Sequence, residues 1–354
     1  MKNSIKIASA FIGIIIGAGF ASGQEILQYF TSFGIMGTFG AALSIVLFGY
    51  LGMALTKIGS RLNTNSHKEA IYKISGRYLG ILIDSILVFI LFGIGVVMIS
   101  GSGSIFAQQF GLPNYFGIIL MTILVLISIL SNVDRVVKII ASITPFLIIG
   151  VVILFVYSVA TKDYTFMELD ALADKQPSAT GNWLTSVINY VSLAITMGAS
   201  MTLVMGGDES KERTASYGGM LGGIGVGILI VIHHLAILAQ IDVVGDYDMP
   251  SLGLANQISP IFGIIYSIIL FGMIFNSAVS MFFSFGTRFF TPRTKKFNLF
   301  VTGALLAAFG ASFFGFKQLV SIFYPLFGYM GLILIAVLII ASIRMKPLKE
   351  IEKE

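Results

Sequence analysis

Apolar residues recur along this chain in runs of about 20 or more, with charges confined to short segments between them. The pattern is neither the alternation of a half-buried strand nor the one-sided stripe of a soluble helix. Runs of this length cross a hydrocarbon core about 30 Å thick as helices, and helices they must be, because isolated strands leave backbone groups unsatisfied in lipid. Ten spans are predicted. Five lie near 4–33, 37–57, 79–108, 114–131 and 136–160, and five near 183–207, 216–240, 260–290, 297–314 and 318–343.

Composition agrees. Of the 354 residues 56% are hydrophobic and 11% charged, whereas a soluble domain carries about a quarter charged residues. The lipid bilayer is therefore the solvent. A formal net charge of +5 does not imply nucleic acid, because the basic residues sit in short loops and form no stripe. With no cysteine there is neither a disulfide framework nor a thiolate metal site. The first apolar run carries glycines and polar residues and ends in no small-residue cleavage site, so it reads as a retained helix.

Charge also orients the chain. All but three of the 22 Lys and Arg lie at the termini or in the loops holding Arg61, Arg135, Arg213 and Arg293, the exceptions being Lys162, Lys175 and Lys317. By the positive-inside rule both termini are cytoplasmic in a multi-pass protein of the cell membrane, which requires an even number of spans. The longest opposite connections are acidic, with Asp163, Glu168, Asp170 and Asp174 in one and Asp242, Asp246 and Asp248 in the other. They read as solvated linkers in preference to a hairpin plug built on Pro250 and the 252–255 run. Five spans followed by five, an odd number in each half, is the topology of an inverted repeat within one transmembrane domain: repeat one 1–160, an outer connection 161–182, repeat two 183–343 and a cytoplasmic tail 344–354.

The most informative stretch is GAGFASGQE at 17–25, in the middle of span one. Three glycines, two alanines and a serine within seven positions weaken a helix. Glu25 then places a carboxyl group at membrane depth, where an acid is expensive enough to suggest a function. The equivalent part of span six reads Thr196, Met197, Gly198, Ala199, Ser200. Paired interruptions in two halves point to a transporter site, because unwound backbone offers amides to an anionic group and carbonyls to a cation. An amino acid or a related zwitterion or amine fits both. Close helix packing is the competing explanation for the glycines.

These elements, GAGFASGQE in span one and TMGAS in span six, resemble transporters of the LeuT-like fold in the amino acid, polyamine and organocation superfamily, and more narrowly the YkvI-like bacterial membrane proteins. The resemblance implies an all-α membrane fold of two inverted five-helix repeats with helices one and six interrupted, and alternating access to a site between spans one, three, six and eight. It implies backbone contacts to a small solute from Gly17, Ala18, Gly19 and Phe20, with Ser22 and Gly23 nearby. From span six it adds Thr196, Met197, Gly198 and Ser200, and from span three Ser100. Sodium-coupled relatives use adjacent hydroxyl residues on span eight. Here that span offers Ser277 and Ser280, which share one helical face, and beside them Asn276, a candidate to contact the solute. Glu25, Ser277 and Ser280 are thus candidates for ion coupling, by sodium or protons, while Glu25 serves equally as a neutral acid tying span one to a neighbour. No cofactor is implied beyond a sodium ion. A solute-sensing receptor or a channel is the alternative on the same scaffold, and substrate, coupling ion, direction and oligomeric state are left open.

Three further groups are read as structural. Asp84 lies near the cytoplasmic end of span three. The adjacent His233 and His234 point about 100° apart and form no two-ligand face. Ser200 followed by these histidines is a poor match to an intramembrane serine protease, because Met201 stands where glycine is needed and the histidines lie toward the outer end of their span, so no enzyme is expected.

Overall fold

The computed structural model describes residues 2–63, 67–131 and 143–344, and among these the backbone is helix and connecting turns with no strand. Span one is a helix over Lys2–Ile15, a short helix over Ala18–Ser22 and another over Gln24–Tyr29. The following spans are Gly34–Leu62, His67–Phe110, Asn114–Leu130 and, for the described part of span five, Thr144–Ala160. Residues 136–142 of the expected fifth span lie outside the described residues. Spans six to ten are Trp183–Gly207, Glu212–Leu238, Pro260–Thr287, Lys295–Ala311 and Phe316–Arg344. Span three is preceded by a helical segment from His67 that turns at Gly76, where φ is 75°.

The tightest seam joins spans two and seven. Gly219, Gly223 and Gly227 recur every fourth residue, so they share a face of span seven. A Cβ on Gly223 would lie 2.0 Å from the Phe48 carbonyl oxygen, one on Gly219 2.2 Å from that of Gly52, and one on Gly227 2.4 Å from Ile45 Cα. One position back, Gly218 and Gly222 face Ile7 and Phe11 on the first half of span one. Span seven is therefore a spine with backbone-close contacts to two neighbours. On the side of the basic loops a bidentate pair from Arg61 to Glu212, at 2.9 Å through both nitrogens, ties the same two spans, and Arg288 pairs with Asp84 to join spans eight and three.

The acidic side differs from the linker expectation. The connection 161–182 contains a helix over Phe166–Ala173 with a complete capping box, in which Thr165 and Glu168 satisfy each other's backbone groups. Hydrogen bonds from Thr165, the backbone one foremost, hold the Glu168 carboxyl below its ordinary range. Asp170 accepts from the Ile35 amide at 2.6 Å and so clasps the start of span two. The second acidic connection folds into helices over Ile241–Val244 and Pro250–Ile258, and residues 250–255 are buried. It is a plug after all. Its apolar residues find a core between spans, while Gln108 of span three exchanges two hydrogen bonds with the Met249 backbone, at 2.9 and 3.0 Å, and Ser104 donates to Asp248 at 2.7 Å.

Candidate functional site

Span one breaks where its sequence is poorest in helix formers. The first helix makes its last bond from the Ile16 amide to the Ile12 carbonyl, Gly17 is extended, and the next helix begins with Ala21 bonding back to Gly17. Four carbonyls before the break and the amides after it are therefore left without intrahelical partners. A second break follows at Gly23, in the left-handed region with φ 81°. A side chain there is strained, and its Cβ would also stand 2.4 Å from Ser251 Oγ in the plug. Ser22 fits this turn: its hydroxyl donates to the Gly19 carbonyl at 2.7 Å and accepts from the Gln24 amide at 3.1 Å.

Glu25 stands on the first turn after the second break, and its carboxyl folds back over Gly19. A Cβ on Gly19 would fall 1.6 Å from Glu25 Oε1. Tyr190 of span six donates to Glu25 Oε2 at 3.2 Å, and Tyr324 of span ten also reaches this carboxyl. Around them Tyr29 donates to Asn189 at 3.0 Å, and Asn189 donates to the Pro325 carbonyl at 2.9 Å. This polar cluster joins spans one, six and ten at the depth of the break.

A cavity of about 580 Å³ runs from this cluster toward the side of the basic loops. Gly17, Ala18 and Gly19 line it at the break, with Glu25 and Tyr190 beside them. Met197 faces it from span six, and Asn276, Ser277 and Ser280 from span eight. Ser277 Oγ lies 3.8 Å from where a Gly17 Cβ would be, so the serine looks across the break. On the acidic side of the break, Phe20, Gln24, Tyr29 and Phe30 are buried.

The other expected contacts lie elsewhere. Phe20 packs edge-on against His233 with ring centroids 4.7 Å apart. Ser22 and Gly23 serve the turn. Ser100 is buried away from the cavity, to which span three contributes Ile94 and Met98. Span six is one unbroken helix, contrary to the interruption expected at 196–200. A lone glycine weakens a helix by about 1 kcal/mol, and packing on both sides outweighs that. Gly198 admits Ile14 and Ile15 from span one, while Thr196 turns toward Gly331 of span ten. Neither Gly198, Thr196 nor Ser200 lines the cavity. The histidines are engaged, His234 between Thr31 and Thr38 at 3.1 and 2.8 Å, and His233 with Ser251 at 2.6 Å. Tyr190 and Tyr324 were not anticipated. A signal existed for Tyr190, since 190, 194, 197 and 201 fall on one helical face and Met197 was already a candidate.

No family model matches the chain. It is similar to the uncharacterized membrane protein YkvI of Bacillus subtilis (strain 168), 28% identical over 334 residues that cover 94% of each chain. It is also similar to the uncharacterized protein YyaD of that strain, 23% identical over 347 residues and 98% of each chain. Among solved structures, MhsT in complex with L-phenylalanine matches with a TM-score of 0.63 at 17% identity, covering 96% of this chain and 92% of that one. The inward facing conformation of Mhp1 matches at 0.60 and 11%, covering 97% and 78%. The Eremococcus coleocola manganese transporter in complex with an aromatic bis-isothiourea substituted compound matches at 0.59 and 14%, covering 95% and 78%. The chain therefore has the all-α, LeuT-like fold of ten transmembrane helices, with its first helix interrupted and its sixth continuous.

Proposed function

We propose that this protein is a secondary transporter that carries a small amino acid or amine across the cell membrane by alternating access, in a conformation here facing the cytoplasm. The observation that carries this reading is the cavity that ends at the break in span one and runs toward the basic side, with Phe20, Gln24, Tyr29 and Phe30 buried between the break and the plug. A continuous pore would favour a channel, and a solid core would favour a scaffold. Its volume lies in the range of small-molecule sites, in keeping with a fold that in MhsT holds L-phenylalanine. Coupling is assigned to sodium at the break. Ser277 faces Gly17, Ser280 lies one turn along, and the carbonyls freed at the end of the first helix supply the oxygen ligands that such an ion takes. Glu25 stands at the closed end of the same cavity, where ion and solute can both act on its charge.

The experiment is uptake into proteoliposomes with a sodium gradient imposed or collapsed. Accumulation is expected to require the gradient, solute binding to tighten with sodium, and Ser277→Ala to flatten that dependence. Binding in the parent protein that ignores sodium removes the ion from this site and leaves protons as the driver. Binding without flux under any gradient makes the protein a solute sensor.

A further inference from the structure

We propose that the solute is an organic amine with an apolar body and no carboxylate, recognised by the charge of Glu25. The inference deepens the transporter reading and rests on it. Its basis is the balance of charge around the cavity. One acid, Glu25, lines it, and among the described residues no Lys, Arg or His does. Gly13, Ile14, Ile15 and Ile16 line the cavity at the carbonyl end of the first helix, the end that favours cations and that the coupling sodium takes, so the solute's own charge is left to Glu25. Amides after the break would favour an anion, but the helix they start has five residues and the carboxyl of Glu25 already lies against its Gly19. A carboxylate brought by the solute to this place would meet that charge with no cationic side chain to offset it.

The remaining wall describes the body of the solute. Five methionines, at 98, 197, 201, 273 and 281, line the cavity with isoleucines from spans one, three and five. Methionine is polarisable and adapts its shape, so such a wall accepts varied apolar groups. Tyr190 and Tyr324 flank the carboxyl and line the cavity beside it. Asn276 completes the lining with a carbonyl oxygen, Oδ1, that is buried and has no partner. It is a further acceptor for an N–H donor. The carboxyl of Glu25 and the unpartnered Asn276 Oδ1 thus put acceptors in the site, with apolar groups around them, which is the complement of a protonated amine on a hydrocarbon or aromatic body.

The test compares molecules that differ only in their charged group. Phenethylamine, phenylalanine and hydrocinnamate form one set, and isoamylamine, leucine and isocaproate a second. Each is titrated against the purified full-length chain, with binding read as thermal stabilisation. The amine of a set is expected to bind about tenfold or more tighter than its amino acid, the gain of one charge-assisted hydrogen bond without an opposed carboxylate, and the acid should not bind. Glu25→Gln should erase the preference for amine. An amino acid that binds as tightly as its amine, a preference that survives in Glu25→Gln, or no binding by either amine overturns the proposal. The ranking in the parent protein decides the matter even where the variant fails to fold. Flux is read separately: amine binding without counterflow keeps this ligand class and removes transport, whereas gradient-driven uptake of an amino acid with no amine bound keeps transport and removes this class.

Discussion

Gly19→Leu is expected to abolish uptake in proteoliposomes while the purified protein keeps its helical content and its chromatographic behaviour. The first atom of any side chain at this position would overlap the Glu25 carboxyl. The carboxyl would have to swing out of its contact with Tyr190 and into the cavity, and a leucine would then fill the space at the closed end of the site. The fold should survive, because the obstructing atoms are the tip of a flexible side chain and not backbone. Gly19→Ala gives the graded control: it displaces the carboxyl without filling the cavity, so uptake should fall by about tenfold or more, the effect of losing one charge-assisted contact. Uptake unchanged in Gly19→Leu would remove the break in span one from the solute path.

The second large effect is expected at Gly23, where backbone and packing act together. A branched side chain in the left-handed region is unfavourable by about 1–2 kcal/mol, and its Cβ would press on Ser251 through both the hydroxyl and the backbone nitrogen, at 2.4 and 3.0 Å. The plug cannot yield by rotating one side chain, so Gly23→Val should lift it and expose the outer path. Since the chain has no cysteine, a single cysteine at Leu252, fully buried in the plug, reports this directly. A membrane-impermeant thiol reagent applied from the acidic side should label it slowly in the parent background and readily with Gly23→Val. Equal labelling of the two would mean that the plug does not rest on this turn.

How much of this was legible in the sequence depended on whether a feature is local. Spans are local, because length and hydropathy decide whether a segment can sit in lipid: among the described residues seven helices are long and apolar enough to cross a membrane, and the shorter helices Asn114–Leu130 and Thr144–Ala160 with the broken span one stand where the other three expected spans lie. The break at Gly17 was legible for the same reason: several weak helix formers in succession meet a buried acid. The sequence misled at span six, where Gly198 and its polar neighbours look like those of span one but are held helical by Ile14, Ile15 and span ten. No local rule separates a glycine that unwinds a helix from one that admits a neighbour. The plug was underestimated because its acidic residues suggest solvent, whereas its contacts with Gln108 and Ser104 are made by residues more than a hundred positions away. Tyr324 lay hidden for a similar reason. A tyrosine in an apolar run gains meaning only once a carboxyl from another helix stands beside it.

The glycine seam between spans two and seven carries a genetic consequence. No amino acid is smaller than glycine, so every missense change at Gly52, Gly219, Gly223 or Gly227 adds an atom that would fall within 2.5 Å of main-chain atoms across the seam, and no rearrangement of side chains relieves such an overlap. In a saturation library selected for the folded protein, these codons should stand out as positions where alanine is as harmful as tryptophan. At Gly13, Gly303 and Gly310, where an added Cβ meets nothing within 4 Å, alanine should pass unnoticed. Hereditary tolerance along this chain would then follow the distance between backbones, and two glycines in the same helix would differ in their fate by the neighbour each one faces.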